Sequence, residues 1–300
     1  MRVYGAKRAM LASINVTEAR QMRFSVLVDN NTLIDRYFSA EPAVAFHIDS
    51  GETRVLFDCG YSDAALRNAV GMRIDLCRLD AVVLSHGHID HTGGLEPLAR
   101  LLAQHHTEHG VRVRPQLISH PAAIEARKLA DGSSNGIAIS AALLDSTFEL
   151  HTGAEPVWVD QRLVFLGHIE RRTSFERAPA IGLRSDGSGG WLPDELPDDS
   201  ALVYLADDGI IVISGCSHSG ICNIVQAARR VTGVDRVIDI IGGFHLQNPR
   251  PAQLEGTLAF IKSLNLSALH ACHCTDLQSK VALAAVAPLR EVGCGLQLDY

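Results

Sequence analysis

The sequence has little charge and no surplus of basic residues. Charged residues make up 20% of the 300 residues, and 34 Asp and Glu against 27 Lys and Arg give a formal net charge of −7. A general nucleic-acid-binding protein would show a basic stripe, so we expect no nucleic-acid partner. The composition still allows a local basic pocket for a phosphorylated small molecule.

Long apolar runs are also lacking. The longest ones fall well short of the roughly 20 residues that a membrane-spanning helix needs, so we expect no membrane partner. The hydrophobic share of 47% nevertheless suffices for a sizeable core. We predict an α/β protein in which residues 23–300 form a single domain.

Paired cysteine motifs are missing as well. The seven cysteines are odd in number and include no Cys-x-x-Cys pair, which argues against a disulfide framework. Residues 1–22 lack the apolar core of a secretory signal, so reduced thiols in a cytoplasmic protein are the simplest interpretation. We interpret residues 1–22 as an extension, either disordered or the product of a mis-chosen start, because Met22 directly precedes the first strand-like run.

The most informative segment is the run from His86 to His91. It holds four metal-ligand side chains in six residues, after an apolar run and before Gly93-Gly94. On an extended or tightly looped segment, His86 and His88 point the same way, whereas Asp90 and His91 turn towards a second position. Imidazole and carboxylate together suit Zn, with Mn or Fe as alternatives.

This segment resembles the His-x-His-x-Asp-His loop of the metallo-β-lactamase superfamily. The resemblance implies a four-layer αββα sandwich and two divalent transition-metal ions. It also implies that Asp58, which follows an early strand, orients the metal loop by hydrogen bonds rather than binding metal.

Further ligands must come from loops later in the chain, and three strand-end segments qualify. We predict that His218 joins His86 and His88, and that His273 joins Asp90 and His91. His245 is a possible ligand or substrate contact, with a buried supporting histidine as the equal alternative. Cys216 is interpreted first as a buried, inert thiol and second as a metal ligand or substrate contact, since a thiolate binds Zn.

Several segments together resemble a narrower group of metal-dependent hydrolases, which includes the archaeal dihydropterin–ribofuranosylaminobenzene phosphate synthase. They recur in the same order and are Val28-Asp29-Asn30, Leu56-Phe57-Asp58-Cys59-Gly60, Leu84-Ser85-His86, Gly215-Cys216-Ser217-His218, Gly242-Gly243-Phe244-His245-Leu246 and His273-Cys274-Thr275. The chain departs from the group at Asp276, where we would expect Gly. Fold and metals carry over from this resemblance far better than the substrate does.

Residues about 130–200 are the least regular part of the chain, and we interpret them as a segment that covers the active site. Within it, His168, Arg171 and Trp191 are candidate substrate contacts, because a ring and a guanidinium suit a small, anionic, cyclic substrate.

Apolar patterns predict the remaining elements. Strands are expected at 24–28, 43–48, 53–57, 79–84, 115–119, 201–205, 209–214, 236–241 and 266–270. Helices are expected at 63–69, 94–105, 121–129, 221–231, 251–264 and 276–289.

The expected function is a binuclear metal-dependent hydrolase acting on a small anionic substrate. A metal-activated water would attack, and Asp90 would ligate one metal and accept a proton. The alternatives are a dihydropterin-type transferase and a ligand-binding regulatory module on the same fold.

Overall fold

The computed structural model describes residues 21–300, and their strands form two large sheets and one small one. The strands are β1 Arg23–Val28, β2 Ala45–Asp49, β3 Arg54–Phe57, β4 Ala81–Val83, β5 Gln116–Ser119, β6 Arg127–Lys128, β7 Glu149–Thr152, β8 Val157–Trp158, β9 Leu163–Phe165, β10 Leu183–Ser185, β11 Trp191–Pro193, β12 Ala201–Ala206, β13 Gly209–Ser214, β14 Val237–Gly243, β15 His270–Cys272 and β16 Gln297–Asp299. The first sheet has the order β16-β1-β2-β3-β4-β5-β7, the second β15-β14-β13-β12-β9-β8, and the small third sheet β11-β10-β6.

Helices connect the strands of these sheets. They are α1 Ala64–Gly71, α2 Ile89–Thr92, α3 Leu95–His109, α4 Ala141–Thr147, α5 Ile221–Thr232, α6 Pro251–Leu264 and α7 Leu277–Ala284, with short 3₁₀ turns at Leu76–Arg78, Pro121–Ile124 and Ser174–Glu176. None of the helices within residues 21–300 is long and apolar enough to cross a membrane.

Strand alternation builds the core between the two sheets. On β1, Phe24 and Val26 point into this core, where they meet Phe46, Phe57 and Tyr204. Successive side chains of a strand face opposite ways, so Leu27 faces outward and packs in a second apolar cluster instead.

Two outer cores complete the layers. The cluster under α1 and α3 covers the outer face of the first sheet, and the cluster under α5 and α6 covers that of the second. The predicted four-layer αββα sandwich is therefore confirmed.

The parallel strands position the candidate site. Strands β3, β4 and β5 run parallel in the first sheet, as do β13, β14 and β15 in the second. Loops at the carboxyl ends of parallel strands gather at one edge, where α/β proteins place their ligands. The candidate ligand segments all follow these strands.

Some sequence predictions differ from the structure. The helix predicted over 121–129 is wrong: Pro121 starts a single 3₁₀ turn, and the chain then extends into β6 because Arg127 is drawn into buried ion pairs. The third C-terminal helix ends at Ala284, short of the predicted 289.

Two further predictions concern the start of the described chain and the covering segment. The predicted extension lies mostly outside the described residues, but Met22 is fully buried and pairs with the backbone of Tyr300. The predicted covering segment is more regular than expected, because β7 extends the first sheet while β8 and β9 extend the second.

Candidate metal centre

Asp58 anchors the loop that follows β4. Its buried carboxylate accepts hydrogen bonds from the Ser85 N–H at 2.7 Å and the Ser85 hydroxyl at 2.7 Å. It also lies 2.6 Å from Nδ1 of His91. Asp58 has a φ of 57°, a left-handed conformation that Asp tolerates better than most residues. These contacts are the ones that the predicted orienting role requires.

Three buried imidazoles form the first ligand group, which comprises His86, His88 and His218. Their ligand atoms lie within 4.8 Å of one another, and Nε2 of His86 is 3.0 Å from Nδ1 of His88. His86 and His88 follow β4 of the first sheet, whereas His218 follows β13 of the second. The structure thus brings together the three side chains grouped from the sequence.

The chemistry of this group suits a transition metal. Burial and the neighbouring imidazoles hold the pKa of His86 and of His218 well below the usual value, and burial lowers that of His88 to about 4. Metals bind the neutral form of imidazole. Nε2 of His88 and both ring nitrogens of His218 are buried without a hydrogen-bond partner among the described residues. Since unpaired buried polar atoms are costly, a metal would satisfy an arrangement that the protein alone leaves incomplete.

Four side chains form the second ligand group, namely Asp90, His91, Cys216 and His273, again with ligand atoms within 4.8 Å of one another. Nε2 of His91 is 3.2 Å from Sγ of Cys216 and 3.5 Å from the Asp90 carboxylate. Nε2 of His273 is 3.4 Å from the same carboxylate. The position of Cys216 favours its second sequence interpretation, a ligand, over that of an inert thiol.

Charges in the second group support one another. Burial disfavours ionisation of Asp90, but His91 and His273 outweigh it and hold its pKa below the usual range. Burial likewise disfavours charge on His91, but Asp90 and Asp58 on either side raise its pKa well above the usual value. Burial raises the pKa of Cys216, so its thiolate form would need a cation beside it.

Sequence reasoning assigns no role to Asp29 and Asn30, yet they position His273. Asp29 accepts a hydrogen bond from the His273 backbone N–H at 2.9 Å, and Oδ1 of Asn30 lies 3.1 Å from Nδ1 of the ring. Contacts of this kind fix the tautomer of a metal-binding histidine. Nε2 is consequently the atom that faces Asp90. The sequence signal for these two residues is the segment Val28-Asp29-Asn30, which is one of those that resemble the group of metal-dependent hydrolases.

Asp199 does the same for the loop that carries His218. Its buried carboxylate accepts from the backbone N–H groups of His218 at 2.9 Å and Ser219 at 2.7 Å. Burial raises the pKa of Asp199 to about 6. Asp199 belongs to the end of the predicted covering segment, so this segment supports the loop that carries His218.

A buried arginine ties the covering segment to the metal loop. Arg127 contacts the carboxylates of Asp194 and Asp198, each at 2.7 Å, with a side chain that is 1% exposed. Asp198 in turn accepts the Gly87 N–H at 2.8 Å. A Cβ at Gly87 would overlap the Arg127 guanidinium and the Ala123 carbonyl, which explains the glycine between His86 and His88. No local pattern signals this network, because its members lie far apart in the chain.

His245 stands next to the first group without belonging to either group. Its ring centroid is 4.3 Å from that of His218, and the side chain is half-buried. Its backbone N–H donates to Sγ of Cys274. Of its predicted roles, this placement favours substrate contact.

The candidate substrate contacts of the covering segment have different surroundings. His168 is exposed, with Nδ1 3.1 Å from the Pro197 carbonyl. Arg171 donates to the carbonyls of Glu195 and Leu196, so its guanidinium holds this part of the chain. Trp191 lies on the small sheet with the Lys128 ammonium 3.9 Å from its ring centroid.

Comparisons with known proteins identify the family. Residues 40–229 match the metallo-beta-lactamase superfamily. The chain is 26% identical over 279 residues to a 7,8-dihydropterin-6-methyl-4-(beta-D-ribofuranosyl)-aminobenzene-5'-phosphate synthase of Methanocaldococcus jannaschii, covering 89% of this chain and 92% of that protein.

Solved structures give the same result. Tm1679, described as a metal-dependent hydrolase of the beta-lactamase superfamily, superposes with a TM-score of 0.78 at 25% identity, covering 93% of this chain and 99% of that one. YhfI from Bacillus subtilis, a metallo-beta-lactamase fold protein, has a TM-score of 0.57 at 12% identity over 93% of this chain and 100% of its own.

Proposed function

The chain belongs to the metallo-β-lactamase superfamily, and from this premise we propose that it is a binuclear metal-dependent hydrolase of a small anionic substrate. The observation that carries the proposal is the pair of adjoining ligand groups, one of three imidazoles and one of carboxylate, imidazoles and thiol. The two groups are in contact, since the ring centroids of His86 and His91 are 4.1 Å apart. We assign two divalent transition-metal ions to them, Zn by preference because imidazole and thiolate are its usual ligands.

Metals bound there would polarise a carbonyl or phosphoryl oxygen and lower the pKa of a water molecule. In our proposal, the Asp90 carboxylate contacts this water molecule. Its side chain is 27% exposed, whereas that of His91 is fully buried. Because its imidazole neighbours keep its pKa low, Asp90 stays ionised and orients the water by accepting its hydrogen bond.

His245 is the proposed contact to the substrate. The tilted ring contact with His218 and the hydrogen bond from its backbone N–H to Cys274 fix its position, while its side chain is only partly buried. An imidazole so placed suits an anionic group of the substrate or the atom that leaves. We assign His168 a weaker contact of the same kind. In this proposal, Arg171 and Trp191 do not contact the substrate directly but help to hold the covering segment in its conformation.

A transferase of the dihydropterin type is the second candidate. It is favoured by one observation, the similarity over 89% of the chain to a protein named as a synthase of that class. The two candidates differ in the nucleophile, which is water in one case and an arylamine in the other. A regulatory module without catalysis is disfavoured, because both ligand groups are intact.

Metal analysis followed by parallel activity assays tests the proposal. Protein stripped with a chelator would be reloaded with Zn, Mn or Fe, analysed for bound metal, and assayed on phosphate esters, phosphodiesters, lactones and thioesters. We expect about two metal equivalents and hydrolysis that needs them. Well-folded protein that binds no metal would overturn the proposal.

Matched variants separate the site from general effects. His218→Ala should abolish turnover, whereas His151→Ala removes an exposed imidazole that sits on the edge strand β7 and should leave it unchanged. Metal-dependent joining of an arylamine to a dihydropterin, with no hydrolysis of any ester or lactone, would replace the hydrolase proposal by the transferase.

A further inference from the structure

A cavity of about 320 Å³ lies at the opposite end of the first sheet from the metal centre. Arg54 begins β3 and lines the cavity, while Asp58 follows the end of the same strand. Four residues of extended chain span roughly 13 Å. The cavity is therefore separate from both ligand groups.

The floor of this cavity is polar where the rest of the sheet face is apolar. Strand pairing sets Ser25 opposite both His47 and Gln297 in one row across β16, β1 and β2. The next residue of β1 on this face, Leu27, packs under the helices. Because α1 and α3 cover only that part, the polar row faces the chain that follows α1 instead.

Two polar side chains of the floor are buried, and only one has a partner: the Ser25 hydroxyl accepts a hydrogen bond from Gln297. Ser25 is fully buried and His47 is 6% exposed. Nε2 of His47 is buried and has no hydrogen-bond partner within residues 21–300. A buried polar atom without a partner is costly, and such groups occur where a ligand is bound.

Arginines dominate the walls. Arg23, Arg54, Arg73 and Arg78 line the cavity against two acidic residues, Asp49 and Asp75. Arg23 and Arg54 are paired with aspartates. Arg73 and Arg78 form no ion pair with any residue that the structure describes, and both are exposed. In a chain of net charge −7, a concentration of positive charge around a concave site is selective for anions.

We propose that this cavity binds a small phosphorylated molecule. Arg73 and Arg78 supply the guanidinium contacts that phosphate oxygens favour. His47 and Ser25 on the floor hydrogen-bond the remainder of the ligand, and the volume matches the lower range of small-molecule sites. The site binds its ligand independently of metal and of the reaction at the other end of the sheet.

Calorimetric titration with pyrophosphate, inorganic phosphate and adenosine monophosphate tests the proposal. The protein would be used with its metal centre loaded and again after chelation. We expect saturable binding of at least one phosphate compound in both states, weaker at high salt because exposed charges are screened. Binding that disappears with the metal would assign the phosphate to the metal centre and overturn the proposal.

Arginine variants test where the ligand binds. Replacing Arg73 and Arg78 together by Ala should weaken binding about tenfold or more. The matched control removes the same charge at two exposed arginines elsewhere, Arg100 and Arg290, and should leave the affinity unchanged. Equal loss in both pairs would mean unspecific attraction and would refute the site.

Backbone amide chemical shifts, measured by nuclear magnetic resonance on the wild-type protein, locate the ligand without relying on the folding of any variant. The phosphate compound should move the backbone signals of Ser25, His47 and Ile74 and leave those of His218 and His273 in place. The reverse pattern would contradict the proposal, as would an unchanged spectrum at saturating ligand.

Discussion

Asp58→Asn should weaken metal binding at the second ligand group while sparing the first. The carboxylate of Asp58 accepts from Ser85 twice and faces Nδ1 of His91 at 2.6 Å. An asparagine keeps one acceptor oxygen, which we expect to stay with Ser85. Its amide nitrogen then replaces the oxygen that faces both the Ser85 hydroxyl and Nδ1 of His91, and it presents N–H donors where that oxygen accepted.

The imidazole of His91 must then change its tautomer. Nδ1 becomes an acceptor, so the hydrogen shifts to Nε2, the atom that lies 3.2 Å from Cys216. A protonated Nε2 cannot bind metal. Loss of an orienting contact to a metal-binding histidine usually weakens metal affinity by about 10–100-fold. Loss of a charge-assisted hydrogen bond also costs about 2 kcal/mol of unfolding free energy.

A competitive chelator titration with Zn measures the two affinities separately. The wild type should release two equivalents in two steps, and Asp58→Asn should weaken one of these steps by about 10–100-fold and leave the other unchanged. Asp80→Asn is the matched control, because Asp80 is an exposed acceptor of the Arg54 N–H. An Asp58→Asn protein that binds both equivalents like the wild type would refute the tautomer argument.

The other predictions concern a ligand pair, a buried cation and a buried imidazole. Elemental analysis of folded His218→Ala and His273→Ala protein should each show loss of about one metal equivalent, and full occupancy in both would contradict the ligand groups. Arg127→Met should cost about 3–5 kcal/mol in chemical denaturation, because Asp194 and Asp198 lose their buried partner; a cost below 1 kcal/mol, that of an exposed pair, would show that the pair is solvated. Burial lowers the pKa of His47 from 6.5 to about 4, so the unfolded chain binds the proton first and about 3 kcal/mol of stability should be lost as pH falls from 6.5 to 4. His47→Gln should show a smaller loss over this range, and an equal loss in both proteins would assign the effect to other groups.

The candidate ligands can be grouped from the sequence because each of them lies in a recognisable local pattern. His86, His88, Asp90 and His91 share one loop, and His218 and His273 each follow an apolar strand. Chain order and strand ends are therefore enough to group them. Metal binding by these groups stays a prediction.

Apart from Asp58, whose role the family resemblance implies, the supporting residues are not predictable in this way. Arg127 meets Asp194 and Asp198, and Asn30 meets His273, across large separations in the chain. No short pattern encodes such contacts. The same long-range ion pair explains the wrong helix at 121–129, since a residue needed inside a buried network overrides local helix propensity.

The pairing of β1 with β16 has a consequence for how the protein folds. Phe24 lies opposite Leu298, so β1 leaves the ribosome long before β16 is made, and one edge of β1 stays unpaired until then. Contacts of such high contact order form slowly, and an unpaired edge is a template for association with other chains. We expect nascent or refolding chains to be most prone to aggregation in this interval, with the edge of β1 as the segment that a chaperone must shield.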